Sequence, residues 1–169
     1  MNSEVSTRRP SIAIEPGPGQ ESVWDYPRPP VLRQDSRLIE VFDGDDLLCR
    51  TTRAYKLMET ASPPTFYLPR EDVDLGKLVP IDDRTYCEWK GTASYWSLEW
   101  NPTEPVAWTY ERPRPSFEAI REYVAFYPGR VDCVLGGERV RSQAGRFYGG
   151  WITSEVVGPF KGEPGTGHW

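Results

Sequence analysis

The amino-acid sequence predicts a mainly β protein, built as a single compact antiparallel domain with one short helix. Short runs of β-branched and aromatic residues alternate with turns that contain Gly, Pro and Asp along most of the chain. Aromatic residues make up 13% of the 169 residues, so we expect a core of large rings. Only one segment has the apolar spacing of a helix. A chain of this length buries one core, and we predict one domain.

Composition divides the chain into three parts. Residues 1–20 contain few apolar side chains and several Pro and Gly, which predicts a disordered N-terminal tail. Residues 21–145 hold the predicted strands and form the β domain. Residues 146–169 are rich in Gly and carry Phe147, Tyr148, Trp151, Phe160 and Trp169. So many rings predict that this C-terminal extension packs on the domain.

Turn residues predict two hairpins. Residues 38–42 and 47–51 have strand character and flank the acidic, Gly-containing turn at 43–46. Residues 131–135 and 138–141 flank Gly136-Gly137, a two-residue hairpin signal.

The middle of the chain is predicted to be mostly extended. Residues 54–59 suit either a helix or a strand, and residues 65–68 suit an extended course. Residues 72–78 are expected to contain one helical turn. Residues 85–100 are predicted as a central strand, and residues 106–110 as another.

The helix is predicted around residues 116–127. Ser116 is a suitable N-cap, and Glu118 suits the positive end of the helix. The helix would end at Pro128-Gly129. Its apolar stripe would consist of Ile120, Tyr123, Val124 and Tyr127.

Charge and hydropathy exclude two classes of partner. The net charge of −5 argues against nucleic-acid binding, which needs clustered Lys and Arg. No apolar run approaches the roughly 20 residues of a membrane helix, and no signal peptide follows the start. We therefore expect a soluble, cytoplasmic protein that binds neither nucleic acid nor a membrane. A homodimer is one assembly compatible with the sequence.

We predict no metal and no cofactor. Cys49, Cys87 and Cys133 lie far apart and offer neither a disulfide framework nor a CxxC zinc site. The single histidine, His168, excludes a multi-histidine metal site. The acidic turn at 43–46 lacks the longer loop ending in Glu that binds calcium.

Residues 85–96 are the candidate site, because they combine a thiol, an ammonium, a carboxylate and four aromatic rings. Cys87 is a candidate catalytic nucleophile whose thiolate form Lys90 would favour. In a regular strand the two side chains face opposite sides. They meet only if the chain bulges or turns at Lys90-Gly91, where glycine permits this. The alternative is a buried structural cysteine beside a solvated lysine.

The same segment is a candidate binding site for a small anion. Lys90, joined by Arg53 and Lys161, would hold a phosphate or carboxylate. Trp89, Trp96 or Tyr67 would stack on a flat ligand. An exposed polar strand face is the alternative. The full set of predicted ligand-binding residues is Arg53, Tyr67, Tyr86, Trp89, Lys90 and Tyr95.

Two further interpretations concern catalysis. Glu59 is a candidate general base or a partner that holds Arg53 in place, and its alternative is a surface carboxylate in an ion pair. Metal-dependent nucleotidyl transfer needs paired carboxylates and a Gly-rich phosphate turn. The Gly-rich tail has no Gly-Lys-Ser/Thr and no helix after it, so the motifs do not support this reaction.

Several stretches together resemble the domain-of-unknown-function family DUF427, in a long form with a Gly-rich C-terminal extension. The matching stretches are residues 21–30, 59–69, 85–95, 123–127, 149–153 and 158–162. The resemblance covers about residues 21–169 and implies a compact, β-tent-like fold similar to methionine-sulfoxide-reductase B and Mss4-like domains. Many of those relatives hold a zinc ion with two CxxC knuckles, which this sequence lacks. The family carries a nucleotidyltransferase-like name but implies no assigned reaction.

The leading hypothesis is a β domain that binds a small molecule, anionic or nucleotide-like, in an aromatic pocket containing Lys90. One alternative is an enzyme that depends on Cys87. The other is a protein-interaction module that uses residues 24–30 or the Gly-rich tail.

Overall fold

The computed structural model describes residues 9–169, whose regular structure consists of strands and short 3-10 helices. The 3-10 helices are Val23–Asp25, Arg70–Asp72, Leu75–Lys77 and Pro115–Ile120. The strands are β1 (Glu21–Ser22), β2 (Val31–Asp35), β3 (Ile39–Asp43), β4 (Asp46–Thr51), β5 (Ala54–Met58), β6 (Thr65–Tyr67), β7 (Leu78–Cys87), β8 (Gly91–Leu98), β9 (Asn101–Thr109), β10 (Val124–Phe126), β11 (Asp132–Leu135), β12 (Glu138–Arg139), β13 (Arg141–Ser142), β14 (Trp151–Ile152) and β15 (Val156–Val157). The predicted mainly β, antiparallel architecture is confirmed.

The strands form three larger sheets, with the orders β10-β9-β8-β7, β12-β11-β3-β4 and β2-β5-β6. All pairs within these sheets are antiparallel, whereas β1 and β15 form a short parallel pair. Leu68 and Val124 exchange two backbone hydrogen bonds of 2.8 Å each. This bridge joins the end of β6 to β10. It therefore connects the sheet β2-β5-β6 to the sheet β10-β9-β8-β7.

Both predicted hairpins are confirmed. β3 and β4 pair across the turn at Gly44, which has φ of +58°. β11 and β12 pair across Gly136-Gly137, and both glycines have positive φ. Such turns match the right-handed twist of the strands that they connect.

The predicted helix is confirmed only in its first half. Pro115–Ile120 is a 3-10 helix, whose N-cap is Arg114 rather than Ser116. Glu122 then has φ of +60°, and Val124–Phe126 pairs with β9 instead of continuing the helix. Hydrogen bonding to a neighbouring strand here outweighs the apolar spacing that predicted a helix.

The prediction of one central strand over residues 85–100 is wrong, because the chain reverses within it. Cys87, at the end of β7, pairs with Gly91, at the start of β8. The three residues between them form a tight turn. Gly91 has φ of +111°, a conformation that residues with a Cβ rarely adopt. The condition under which Cys87 and Lys90 meet, a turn at Lys90-Gly91, is therefore fulfilled.

Two buried clusters divide the interior. The larger one is aliphatic and lies under β3, β4 and β11, with Val41, Leu48 and the ring of Trp151 fully buried. The second cluster is aromatic and lies behind the β7–β8 hairpin. Its members include Tyr67, Tyr95, Trp108, Tyr110 and Tyr127.

The N-terminal end of the described chain is held by residues that lie further along the sequence. Residues 1–20 were predicted to be disordered, and residues 1–8 of this segment lie outside the described part of the chain. Within residues 9–20, Arg9 pairs with Asp25 at 2.7 Å, and the Ile14 amide donates to the Gly158 carbonyl at 2.8 Å. Local composition gives no sign of these partners, because they lie up to 144 positions further along the chain. In residues 9–169, no helix has the length and apolar character needed to cross a membrane.

Candidate functional site

A cavity of about 270 Å³ opens beside the β7–β8 hairpin. Three regions form its walls: the β5–β6 connection, the hairpin with β9, and the C-terminal extension. Its lining residues are Leu57, Glu59, Ser62, Pro63, Thr65, Tyr67, Thr85, Tyr86, Cys87, Glu88, Trp89, Lys90, Tyr95, Trp108, Tyr110, Tyr127, Gln143, Phe147, Tyr148, Gly149, Gly150 and Lys161. Seven of the eight predicted site residues are in this set, with Arg53 as the exception.

Aromatic rings make the inner wall. Tyr67, at the end of β6, lies 6.3 Å from both Trp108 and Tyr110, measured between ring centroids. Trp108 in turn lies 4.6 Å from Tyr127. Tilted and edge-to-face pairs at these distances are the favoured arrangements of aromatic rings. The wall is therefore held by ring packing, and its members keep fixed positions.

The extension forms the roof. An added Cβ on Gly149 would lie 2.3 Å from the ring of Trp108, so only glycine lets the backbone pass so close. Tyr127 Oη donates to the Phe147 carbonyl at 3.4 Å. Phe147 and Tyr148 themselves remain exposed at the mouth of the cavity.

Lys90 carries the positive charge of the inner wall. The Arg114 amide donates to the Lys90 carbonyl at 2.9 Å, which fixes the backbone of the turn. The Lys90 ammonium lies 5.9 Å from the centroid of the Tyr110 ring, within the range of a cation–π contact. Within residues 9–169, Lys90 makes no ion pair.

The surroundings of Lys90 keep it protonated. Burial lowers the pKa of its ammonium, but attraction by neighbouring groups outweighs burial and raises the pKa above its ordinary value. The groups that raise the pKa are Tyr67, Cys87 and Glu59, in that order. A protonated lysine suits anion binding and argues against a neutral amine nucleophile.

Three polar groups of the inner wall are almost completely buried yet face the cavity. Tyr67 is 1% exposed, Tyr110 6% and Trp108 7%. Burial raises the pKa of both tyrosine hydroxyls, so both are neutral donors. In the described chain, none of the three side chains donates a hydrogen bond to another protein group.

The three cysteines differ in their surroundings. Cys87 is half-buried in the cavity wall beside Lys90. Cys49 and Cys133 lie in the aliphatic cluster, each 1% exposed. There, burial raises the pKa of the Cys49 thiol to about 12, and that of Cys133 well above its usual range. Of the three thiols, only Cys87 lines the cavity.

Glu59 lies in the cavity wall but does not hold Arg53. Its carboxylate is 3.9 Å from Arg28 Nη2. Arg53 instead binds Asp72, with an Nη2–Oδ1 distance of 2.9 Å, and its side chain is 61% exposed. The predicted place of Arg53 in the pocket therefore needs correction. Arg53 precedes strand β5 and Glu59 follows it, so about 20 Å of extended chain separates the two residues.

Of the two other residues predicted to help bind a ligand, Lys161 and Trp96, one lines the cavity and the other does not. Lys161 lines the cavity, where its ammonium lies 5.4 Å from the centroid of the Tyr148 ring. Trp96 lies outside it, beneath Arg70 and against the aliphatic cluster.

Sequence reasoning missed Trp108, Tyr110 and Tyr127 because their place in the wall depends on strand order. The aromatic run at 106–110 was the available signal. In residues 9–169, no three His, Cys, Asp or Glu side chains are grouped to hold a metal ion.

The model of a family described as a domain of unknown function, DUF427, matches residues 31–137. A separate comparison with proteins of curated function finds no match. The matched residues contribute the hairpin and the inner wall of the cavity, whereas the roof lies beyond residue 137.

Proposed function

The chain belongs to the DUF427 family, and from this premise we propose that it binds a small, planar, anionic molecule in the aromatic cavity. The observation that carries the proposal is the group of four donors on the inner wall: Lys90, Tyr67, Trp108 and Tyr110. These four donors border the cavity and are not among the fully buried, unpartnered side-chain atoms of residues 9–169, which are Trp96 Nε1 and Ser97 Oγ. A ligand that brings acceptor oxygens into the cavity can therefore pair with them.

The charge of Lys90 favours an anion over a cation. Aromatic cages also bind quaternary ammonium groups, but here an ammonium of the protein already lies against Tyr110. A second cation would be repelled, whereas a carboxylate or phosphate would be attracted. Glu59 offsets the charge of Lys90 only partly, because it also faces Arg28.

The shape and size of the cavity favour a flat, small ligand. The ring faces and edges of the wall offer stacking surfaces. The volume of about 270 Å³ lies just below the roughly 300 to 1,000 Å³ of pockets for drug-sized ligands. A single ring system with one acidic group matches these limits.

A thermal-shift screen of planar carboxylates, nucleobases, nucleotides and thiol compounds tests the proposal. A ligand at 100 times its dissociation constant stabilises the fold by about 2.7 kcal/mol, which raises Tm by roughly 5 to 10 °C in a chain of this size. We expect at least one hit among the anions. Lys90→Met should abolish the shift and Tyr67→Phe should reduce it.

Lys77→Met is the matched control, since Lys77 lies outside the cavity. The control should keep the full shift. A hit that is equally strong in Lys90→Met would refute the proposed site.

A second candidate function is catalysis by Cys87. The observation that favours it is that Cys87 and Lys90 line the same cavity on either side of the β7–β8 turn, where Cys87 helps to raise the pKa of the Lys90 ammonium. A neighbouring cation stabilises the thiolate. In this reading Glu59 is the candidate general base. Iodoacetamide labelling between pH 6 and 9 measures the thiolate fraction. Loss of labelling below pH 8 in Lys90→Met would support the pairing, and an unchanged pH profile would refute it.

Four expectations from the sequence stay predictions. They are a cytoplasmic location, a homodimer, the absence of nucleic-acid binding, and the alternative of a protein-interaction module. Light scattering of the purified chain, with and without duplex DNA, tests the second and third.

A further inference from the structure

A second, more open hollow of about 580 Å³ adjoins the cavity. It is called the arginine groove here because Arg84, Arg130 and Arg146 line it. Thr85, Tyr95, Tyr127 and Phe147 line both hollows. A ligand that leaves the cavity past Phe147, which is 60% exposed, would therefore enter the groove.

Arg130 is a fixed structural part of the groove. Its guanidinium donates to the Pro105 carbonyl at 2.7 Å and to the Arg146 carbonyl at 2.6 Å. It also lies 4.1 Å from the centroid of the Tyr127 ring. These contacts tie β9 to the extension and hold the backbone of Arg146 at the edge of the groove.

The other two guanidinium groups keep donors for a ligand. Arg84 uses only Nη1, which donates to the carbonyls of Ile81 and Asp83. The Arg146 side chain makes no hydrogen bond or ion pair to any other described residue. A guanidinium presents five N–H donors, a geometry that matches carboxylate and phosphate oxygens.

The local charge balance is positive. Two carboxylates also line the groove, Asp83 and Glu104. Glu104 lies 3.8 Å from Arg130 Nε, so it offsets the arginine whose donors are already engaged. The three guanidinium groups and two carboxylates leave one positive charge, in a protein whose net charge is −5.

We infer that the arginine groove is a second subsite, which binds an oxyanion through Arg84 and Arg146. This inference rests on the proposed function. It narrows the ligand class to a planar molecule that carries a phosphoryl or carboxylate group where it emerges from the cavity.

Titration of the full chain with inorganic phosphate, followed by ³¹P NMR line broadening, tests the inference. We expect saturable binding to the wild type. The double variant Arg84→Gln/Arg146→Gln should bind at least about tenfold more weakly, since two charge-assisted contacts are lost. The same double substitution is also compared in a Lys90→Met background, which removes any phosphate held in the cavity and leaves the groove intact, because Lys90 does not line the groove. The loss of about tenfold should persist there.

Arg33→Gln is the matched control, an exposed arginine outside both hollows. It should leave binding unchanged. Loss in the control equal to that in the double variant would show non-specific attraction and overturn the inference, as would no saturable binding to the wild type. Loss confined to Lys90→Met would place phosphate in the cavity, which overturns the second subsite while supporting the proposed function.

Discussion

Lys56 and Lys90 are two lysines placed among aromatic rings, yet their surroundings differ. Lys56 lies in β5 with a side chain that is 7% exposed, and it pairs with Glu21 and Glu155. Lys90 lies in the β7–β8 turn, beside the Tyr110 ring, and forms no ion pair in the described chain. Lys90 lines the aromatic cavity, whereas Lys56 does not.

If the proposed function holds, the difference separates a charge that stabilises the fold from a charge that binds a ligand. A buried charge that is fully paired is tolerated, and its loss leaves its partners uncompensated. A cation that borders a cavity, with neutral donors around it, is the arrangement from which the proposed anion binding is argued. The two lysines should therefore respond oppositely to substitution, with Lys56 affecting stability and Lys90 affecting binding.

The largest effect is expected from Lys56→Ala. Glu21 and Glu155 would lose their shared cation, but both carboxylates reach solvent. The free energy of unfolding should therefore fall by about 2 to 3 kcal/mol, somewhat less than for a fully buried pair. Urea denaturation measures it, with Lys77→Ala as the control, because the ion pairs of Lys77 with Asp46 at 3.7 Å and Asp74 at 3.8 Å are longer and more exposed. A loss below about 0.5 kcal/mol would remove the contrast between the two lysines.

The roof above Lys90 provides the next largest effect. Gly149→Ala would place a methyl group 2.3 Å from the Trp108 ring, which forces the extension or the ring to move. We expect a loss of about 1 to 3 kcal/mol together with weaker ligand binding. Gly167→Ala is the control, because no atom lies within 4 Å of its added Cβ. Equal stability of the two variants in urea would contradict the packed roof.

Acid should reduce the stability that the ion pair between Lys56 and Glu21 contributes to the fold. Burial raises the pKa of Glu21, but hydrogen bonds from Lys56 and Tyr26 outweigh burial and lower the pKa below its ordinary 4.5. A carboxyl group with a lowered folded-state pKa contributes stability above its unfolded pKa, and this is lost as the pH falls through the folded pKa. Urea midpoints between pH 7 and 3 should fall less steeply in Glu21→Gln. Parallel curves would exclude this contribution.

The three cysteines should differ in their reactivity, and this is the smallest of the expected effects. Iodoacetamide should modify Cys87 in the folded protein, while Cys49 and Cys133 react only after denaturation, since both are 1% exposed with raised pKa values. Peptide mass spectrometry identifies the labelled residue, and Cys87→Ser is the control. Labelling of Cys49 or Cys133 before Cys87 would contradict the assignment of Cys87 to an accessible wall.

The sequence predicted what local chemistry decides. The turns at Gly44 and Gly136-Gly137 were predictable because a positive φ favours particular residues there. The reversal at Lys90-Gly91 was foreseen only as a condition, since a glycine in a strand-like run also suits a bulge.

The features that depend on the order of the strands in the sheets could not be predicted from the sequence. Val124–Phe126 pairs with β9 although its spacing favours a helix. Arg53 was predicted to join Lys90 in binding an anion, but Arg53 precedes β5 and its guanidinium binds Asp72 instead. Trp108 lies in the site because β8 pairs with β9, and Tyr110 follows β9 directly. No local pattern in the sequence specifies this pairing.

Isothermal titration of the strongest anionic hit into the wild type and Lys90→Met, together with urea unfolding of both ligand-free proteins, tests the central claim most directly. We predict that Lys90→Met loses binding by at least about 100-fold, while its unfolding free energy stays within about 1 kcal/mol of the wild type. Retained affinity, or a loss of stability as large as that of Lys56→Ala, would show that Lys90 serves the fold and not a binding site.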